Sequence, residues 1–280
     1  MPEYKAPLRD IQFVFNELLN AEQHYAGLAG CEQVTPDLVS AIVQEGARFA
    51  EEVLSPLNRV GDQQGCTWSE AGVTTPEGFA QAYAQFVAGG WPGIRAPAEH
   101  GGQGLPGSLG AILNEMMGAA NWAWSMYPGL TEAAVRCLEH YGSPELQKTY
   151  LTKLVAGTWS GTMCLTEAHC GSDLGLLRTK AAPRADGSYA ITGTKIFISS
   201  GEHDLTENIV HLVLARIEGA PAGTKGISLF VCPKFLVNDD GSLGARNALS
   251  CGSLEHKMGI HGNSTCVMNY DGATAWLIGE

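Results

Sequence analysis

The first half of the chain repeats its apolar positions at helical spacing. Leu38, Ile42, Phe49 and Val53 recur on one face, behind a start signal in which Thr35 caps and Pro36 takes the first helical position. Pro56 is expected to stop that run. The same periodicity over 76–88, 108–121, 131–141 and 144–156 predicts further helices. Past Trp159 the period changes to two. Strands are predicted over 189–191, 195–199, 209–217, 227–231 and 265–270, with Asp186-Gly187, Asp239-Asp240-Gly241 and Asp271-Gly272 as turn signals between them. Residues 218–226 and 238–248 read as surface loops. A helical block followed by short strands predicts an α+β chain of two domains, 1–157 and 158–280.

Composition narrows the class. A chain of 280 residues can bury two sizeable cores, and 45% apolar with 16% charged residues describes a globular protein. The net charge of −12 argues against nucleic acid and anionic membrane surfaces as partners. Eight cysteines form no Cys-x-x-Cys pair, and Cys137, Cys164 and Cys232 sit in apolar runs, which predicts reduced thiols in a cytoplasmic protein. No secretory leader is evident, and no stretch approaches the roughly 18 apolar residues of a membrane span.

Candidate chemistry concentrates in residues 164–173, Cys-Leu-Thr-Glu-Ala-His-Cys-Gly-Ser-Asp. An apolar run from Trp159 delivers Thr166 and Glu167, and Gly171 with Ser172 turns the chain back. Two hydroxyls and several free backbone amides around one concave spot suit an anionic or electron-accepting cofactor edge. A strand ending in an ordinary Gly-Ser turn accounts for the same residues. Gly102-Gln103-Gly104-Leu105-Pro106-Gly107 spells a dinucleotide fingerprint, but no apolar strand precedes it, so a tight loop before the 108–121 helix is the better reading. His169, Cys170, His256, His261 and Cys266 fit no zinc spacing, and no metal is expected. Met116, Met117 and Met126 read as helix core.

Thr166-Glu167-x-x-x-Gly171-Ser172-Asp173 resembles the signature of the FAD-dependent acyl-CoA dehydrogenases. Further pieces fall in that family's order: Gly90-Trp91-Pro92-Gly93-Ile94, Pro97 to Leu105, Gly142 to Leu151, Gly193-Thr194-Lys195-Ile196-Phe197-Ile198-Ser199, and Lys257 to Gly262. The resemblance implies an N-terminal all-α helical domain followed by an antiparallel β-barrel-like middle domain. It implies α,β-dehydrogenation of an acyl-CoA thioester with hydride transfer to FAD, and electron transfer flavoprotein as acceptor. Flavin contacts are implied at Met163, Leu165, Thr166, Gly171, Ser172, Phe197, Ile198 and Ser199, with Ser172 also beside the acyl-CoA. Phe197 stands where many members carry tryptophan, and its ring can cover the flavin face.

Glu167 is not the base in this family. The resemblance implies that the base is another glutamate, in a C-terminal helical domain beyond Glu280, so no catalytic residue is assigned, and the chain reads as an inactive portion of a longer homodimeric or homotetrameric enzyme. His169, Cys170 and Leu176 are bulkier than usual and alter the expected acyl pocket. The opening residues Tyr4 to Asp10 and the run 200–208 resemble a long-chain-length branch that includes 3-methylmercaptopropionyl-CoA dehydrogenation beside fatty acyl-CoA substrates. Two other readings stand beside this one: a non-enzymatic FAD- or acyl-CoA-binding protein of the same fold, and a nicotinamide enzyme built on the glycine fingerprint.

Overall fold

The structure is a computed structural model, and it describes residues 3–279. Its helical half comprises α1 (Leu8–Gln12), α2 (Ala21–Ala26), α3 (Pro36–Arg48), α4 (Ser55–Gln64), α5 (Phe79–Ala88), α6 (Gly107–Ala120), α7 (Trp122–Tyr141) and α8 (Pro144–Val155). Caps set several starts. The Thr35 hydroxyl accepts from the Leu38 amide at 3.2 Å, Asn121 accepts from the Trp124 amide at 3.1 Å, and Ser143 from the Leu146 amide at 3.3 Å. Pro56 does not stop the chain as expected. A π-helical turn, Phe49–Leu54, carries α3 into α4, and Pro56 falls in the first turn of α4, where its missing N–H needs no partner. Helix α7 likewise begins well before 131 and holds Pro128 inside it. A hairpin of β1 (Thr67–Ser69) and β2 (Gly72–Thr74) interrupts this half. Phe49, Tyr83 and Phe86 pack around the Trp124 ring at 5.8, 6.2 and 5.4 Å between centroids. Among the described residues no helix is long and apolar enough to cross a membrane.

The second half holds β3 (Trp159–Cys164), β4 (Lys180–Pro183), β5 (Tyr189–Ser199), β6 (Asn208–Ile217), β7 (Ile227–Pro233), β8 (Phe235–Val237), β9 (Leu243–Arg246), β10 (Leu249–Leu254) and β11 (Thr265–Ile278). Antiparallel pairs predominate, with β3 and β4 each parallel to β6. Asp271-Gly272 is no turn. β11 runs through it with a register shift, Gly272 taking a φ of +72°, and the strand goes on pairing with the same neighbour, β5, on both sides of this bulge. Thr265 to Ala275 pair with β5, and Trp276 to Ile278 pair with β7. Pairing therefore closes on itself through β5, β4, β6, β7 and β11, which is the barrel-like arrangement. The loop expected over 238–248 is largely the β8–β9 hairpin, with Asp239-Asp240-Gly241 in its turn.

Helix α7 lies directly on β3. A Cβ at Gly161 would sit 2.4 Å from the Ala134 Cβ, so only glycine permits this approach. The Tyr127 hydroxyl donates to the Gly262 carbonyl at 3.1 Å and accepts from the Ser264 amide at 2.9 Å, and Asn263 donates to the Ala123 carbonyl at 3.3 Å. These bonds stitch the helical half to the segment entering β11. Tyr127→Phe strands the buried Ser264 amide, and a loss of about 1–3 kcal/mol is expected in chemical denaturation.

Burial, with the nearby charge of Lys234, holds the His203 and His211 imidazoles down to about 3, against 6.5 for a free histidine. Below pH 6.5 the unfolded chain binds protons that the folded chain refuses. Stability from these groups is thus complete above that pH and is lost as pH falls toward 3. Unfolding free energy should decline by up to about 1.4 kcal/mol per pH unit for each histidine across that window. His203→Gln should remove one such share when urea unfolding at pH 7 is compared with pH 5; an unchanged slope contradicts the assignment.

Candidate cofactor site where the third strand leaves the sheet

Strand β3 ends at Cys164, and the chain leaves the sheet as Leu165-Thr166. The Thr166 carbonyl accepts from the Ile196 amide of β5 at 2.9 Å, which fixes the exit beside that strand. Glu167 and Cys170 then exchange backbone bonds of 2.8 and 3.0 Å and close a tight turn. Gly171 follows against Thr166: a Cβ there would lie 3.3 Å from the Thr166 Cγ2 and 3.9 Å from its Oγ1. Among the described residues the Thr166 and Ser172 hydroxyls and the Gly171 and Ser172 amides have no hydrogen-bond partner. Donors clustered and left open in this way can take an anionic or electron-rich group.

The facing strand carries a bulge. Met268 of β11 pairs Lys195 and Cys266 pairs Ile198, so Ile196 and Phe197 together oppose the single Val267. Phe197 takes the left-handed backbone at φ +56°, a conformation costing roughly 1–2 kcal/mol for a side chain of this kind. Its ring is 48% exposed, and the Lys257 ammonium stands 5.7 Å from its centroid. On either side of it, Lys195 and Ile198 point inward and are fully buried.

Of the eight residues expected at a flavin, the structure brings Thr166, Gly171 and Ser172 onto one turn, and Phe197 follows Ile196, whose amide bonds the Thr166 carbonyl. Ser199 is tied to β3 by its carbonyl, which accepts the Thr162 hydroxyl at 2.6 Å. Met163 is half-buried and packs on the core between α7, α8 and the sheet, and Leu165 is half-buried at the strand exit. Ile198 departs from expectation. Its side chain belongs to the barrel core with Cys164 and Val213, so any contact from this position runs through the backbone. The sequence reading missed Lys195 and Lys257, although a lysine inside a β-branched run is itself a signal of a buried partner.

Glu167 is buried beneath the turn. It accepts from the Thr179 hydroxyl at 2.6 Å, the Thr179 amide at 2.9 Å, the Arg178 amide at 2.8 Å and the Lys195 ammonium at 2.9 Å. Burial alone would raise its pKa, but these four donors prevail and hold it at about 2. A carboxylate so saturated does not take a proton from a substrate. Glu167 also lies with His169 and Cys170, their ligand atoms within 4.8 Å of one another, but its oxygens are already committed. The glycine fingerprint fares no better as a phosphate cradle. The amides of Gly102, Gln103, Gly104 and Leu105 donate to the carbonyls of Pro97, Gly93, Ala96 and Ile94, which leaves none of them free.

Comparison with known proteins bears on the family and the fold. The acyl-CoA dehydrogenase N-terminal domain model matches residues 38–158, and the middle domain model matches residues 162–273. The 3-methylmercaptopropionyl-CoA dehydrogenase of Ruegeria pomeroyi is 47% identical over 277 residues, 99% of this chain and 47% of its own length. The chain thus spans about half the length of the curated relatives it matches. Among solved structures, the electron transferring flavoprotein of Acidaminococcus fermentans is similar over 88% of this chain and 58% of its own, with a TM-score of 0.70 and 24% identity. An acyl-CoA dehydrogenase from Bacillus anthracis, described as complexed with FAD, is similar over 88% of this chain and 38% of its own, with a TM-score of 0.69 and 23% identity. The chain belongs to the acyl-CoA dehydrogenase family, of which it carries the N-terminal and middle domains.

Proposed function

We propose that this chain is the flavin- and acyl-CoA-facing portion of an FAD-dependent acyl-CoA dehydrogenase, acting on 3-methylmercaptopropionyl-CoA or a fatty acyl-CoA. The observation that carries this reading is the set of open donors on the Thr166–Ser172 turn, which the Ile196–Thr166 backbone bond ties to the strand where the next residue, Phe197, is strained and half exposed. Those residues fit FAD: a flat ring for a flat heterocycle, hydroxyl and amide donors for its polar edge, and turn amides for an anionic tail. When bound, FAD supplies a hydride acceptor for the substrate β carbon.

The roles of this chain's own residues follow. The Thr166 hydroxyl donates toward the edge where negative charge develops, and it is already aimed because its flanking backbone is pinned. Ser172 and the Gly171 and Ser172 amides hold phosphate oxygens, the serine also facing the acyl-CoA. Phe197 covers one face and excludes water, and Met163, Leu165 and Ser199 line the rest. Glu167 stays ionised and structural, so the group that removes the α proton comes from outside the motif. We place the division between the two domains at Gly157, whose φ of +71° turns the chain from α8 into β3. Electron transfer flavoprotein as acceptor, a homodimer or homotetramer, and a cytoplasmic location complete the reading. The flavoprotein named in the A. fermentans likeness favours the first of these.

Titration of the purified protein with FAD, followed by flavin fluorescence, tests the reading. Uptake is expected, and Thr166→Ala should weaken it roughly five- to tenfold, the worth of one hydrogen bond. Absence of uptake sinks the proposal. Phe197→Gly separates strain from function, since glycine adopts a positive φ without penalty. Thermal stability should hold or rise while flavin affinity falls; a stability loss together with unchanged affinity would assign the ring to packing alone. The FAD-loaded 280-residue chain should keep its flavin oxidised when acyl-CoA is added, and rapid bleaching would place the base within it.

A further inference from the structure

Lys195 is fully buried, yet among the described residues its ammonium reaches two acceptors only: the Leu165 carbonyl at 3.0 Å and the Glu167 carboxylate at 2.9 Å. Those two residues bracket Thr166. The next residue of β5, Ile196, donates its amide to the Thr166 carbonyl at 2.9 Å. Consecutive residues of one strand therefore fix the carbonyls of 165 and 166 and the side chain of 167. What they leave free is the Thr166 hydroxyl. Glu167 extends the restraint outward, since it also holds the Arg178 and Thr179 amides where the chain returns to the sheet.

Stability does not account for this arrangement. A buried ion pair roughly offsets its own desolvation, and a well-packed apolar pair of like volume serves folding as well or better. Geometry offers another reason. The bulge that turns Lys195 inward is the one that turns Phe197 outward, because on a regular strand the two would share a face. Inward ammonium and outward ring are one device.

We infer that Lys195 and Glu167 are positioning residues that lock the Leu165–Glu167 backbone so that the Thr166 hydroxyl is held toward the cofactor edge. This inference rests on the flavin reading above. It predicts that the pair acts through Thr166 and not through folding. The single variant Lys195→Met leaves a buried, unpaired carboxylate and should fold poorly. The informative protein is the neutral double variant Lys195→Met/Glu167→Gln, which removes both charges together. It should regain most of the thermal stability lost by the single variant. Its FAD affinity should nevertheless fall tenfold or more, with a shifted visible flavin band, because the hydroxyl is no longer aimed.

The same double change made on Thr166→Ala should cost less than threefold further, since the target of the lock is already gone. Wild-type affinity and spectrum in the double variant would overturn the inference, as would an equal loss of affinity with and without Thr166. Hydrogen exchange separates this from failure of the flavin reading. If wild-type protein takes up no FAD, the Leu165–Glu167 amides of the double variant should still exchange at least tenfold faster while the β6–β7 core keeps its protection; unchanged exchange refutes the lock itself.

Discussion

One extra residue in β5 governs what each side of the barrel holds beside the site. Strands alternate their side chains strictly, so an unbroken β5 would set Lys195 and Phe197 on the same face. Either an ammonium would be wasted on solvent or an aromatic ring would enter the core beside it. With Ile196 and Phe197 both opposite Val267, the alternation slips by one. The cation turns to Glu167 inside, and the ring turns outward at a left-handed φ. Strain of that kind persists only where surrounding structure over-determines it. Here the determinants are the β11 ladder on one side and the Thr166–Ile196 bond on the other.

The two halves of the chain are held by different physics. The helical half relies on aromatic packing around Trp124, with caps such as that of Asn121 setting helix starts. The barrel half buries charge. Besides Lys195 and Glu167, the buried Glu202 meets Lys234 at 2.5 Å and Arg246 at 3.2 Å, just after β5 ends. His203 beside it stays neutral and bonds the Ser160 hydroxyl of β3 at 3.0 Å. Polar groups in a low dielectric tolerate few alternative arrangements, because each alternative leaves one of them unpaired. The strand exits that carry the candidate site are therefore rigid for electrostatic reasons, whereas the helices beneath them are held by shape.

Much of this was legible before any coordinates. Thr35-Pro36 announces a helix start that the structure keeps, because capping and proline geometry act within a few residues, and the periodicity over 144–156 announces a helix that is also kept. The Thr166 to Asp173 turn is equally local, closed by bonds three residues apart. Other features were not legible, and they share a cause. Pro56 spells a stop, but the π turn ahead of it satisfies the backbone another way. Asp271-Gly272 spells a turn, but pairing on both sides keeps β11 extended and turns the glycine into a bulge. The strands β4 and β10 carry little apolar alternation and exist because neighbours bond to them.

The sequence by itself determined the helical block followed by strands, the Thr35 cap, the motif turn and the family, since each depends on residues near one another along the chain or on a pattern of residue types. Only the tertiary structure decided that Ile198 faces the core, that Phe197 stands outward and strained, that the amides of Gly102 to Leu105 in the glycine fingerprint are already bonded, and that Lys195 clasps the backbone around Thr166. Those outcomes turn on which strand lies alongside and in what register, and a one-residue shift in register reverses every side chain it touches.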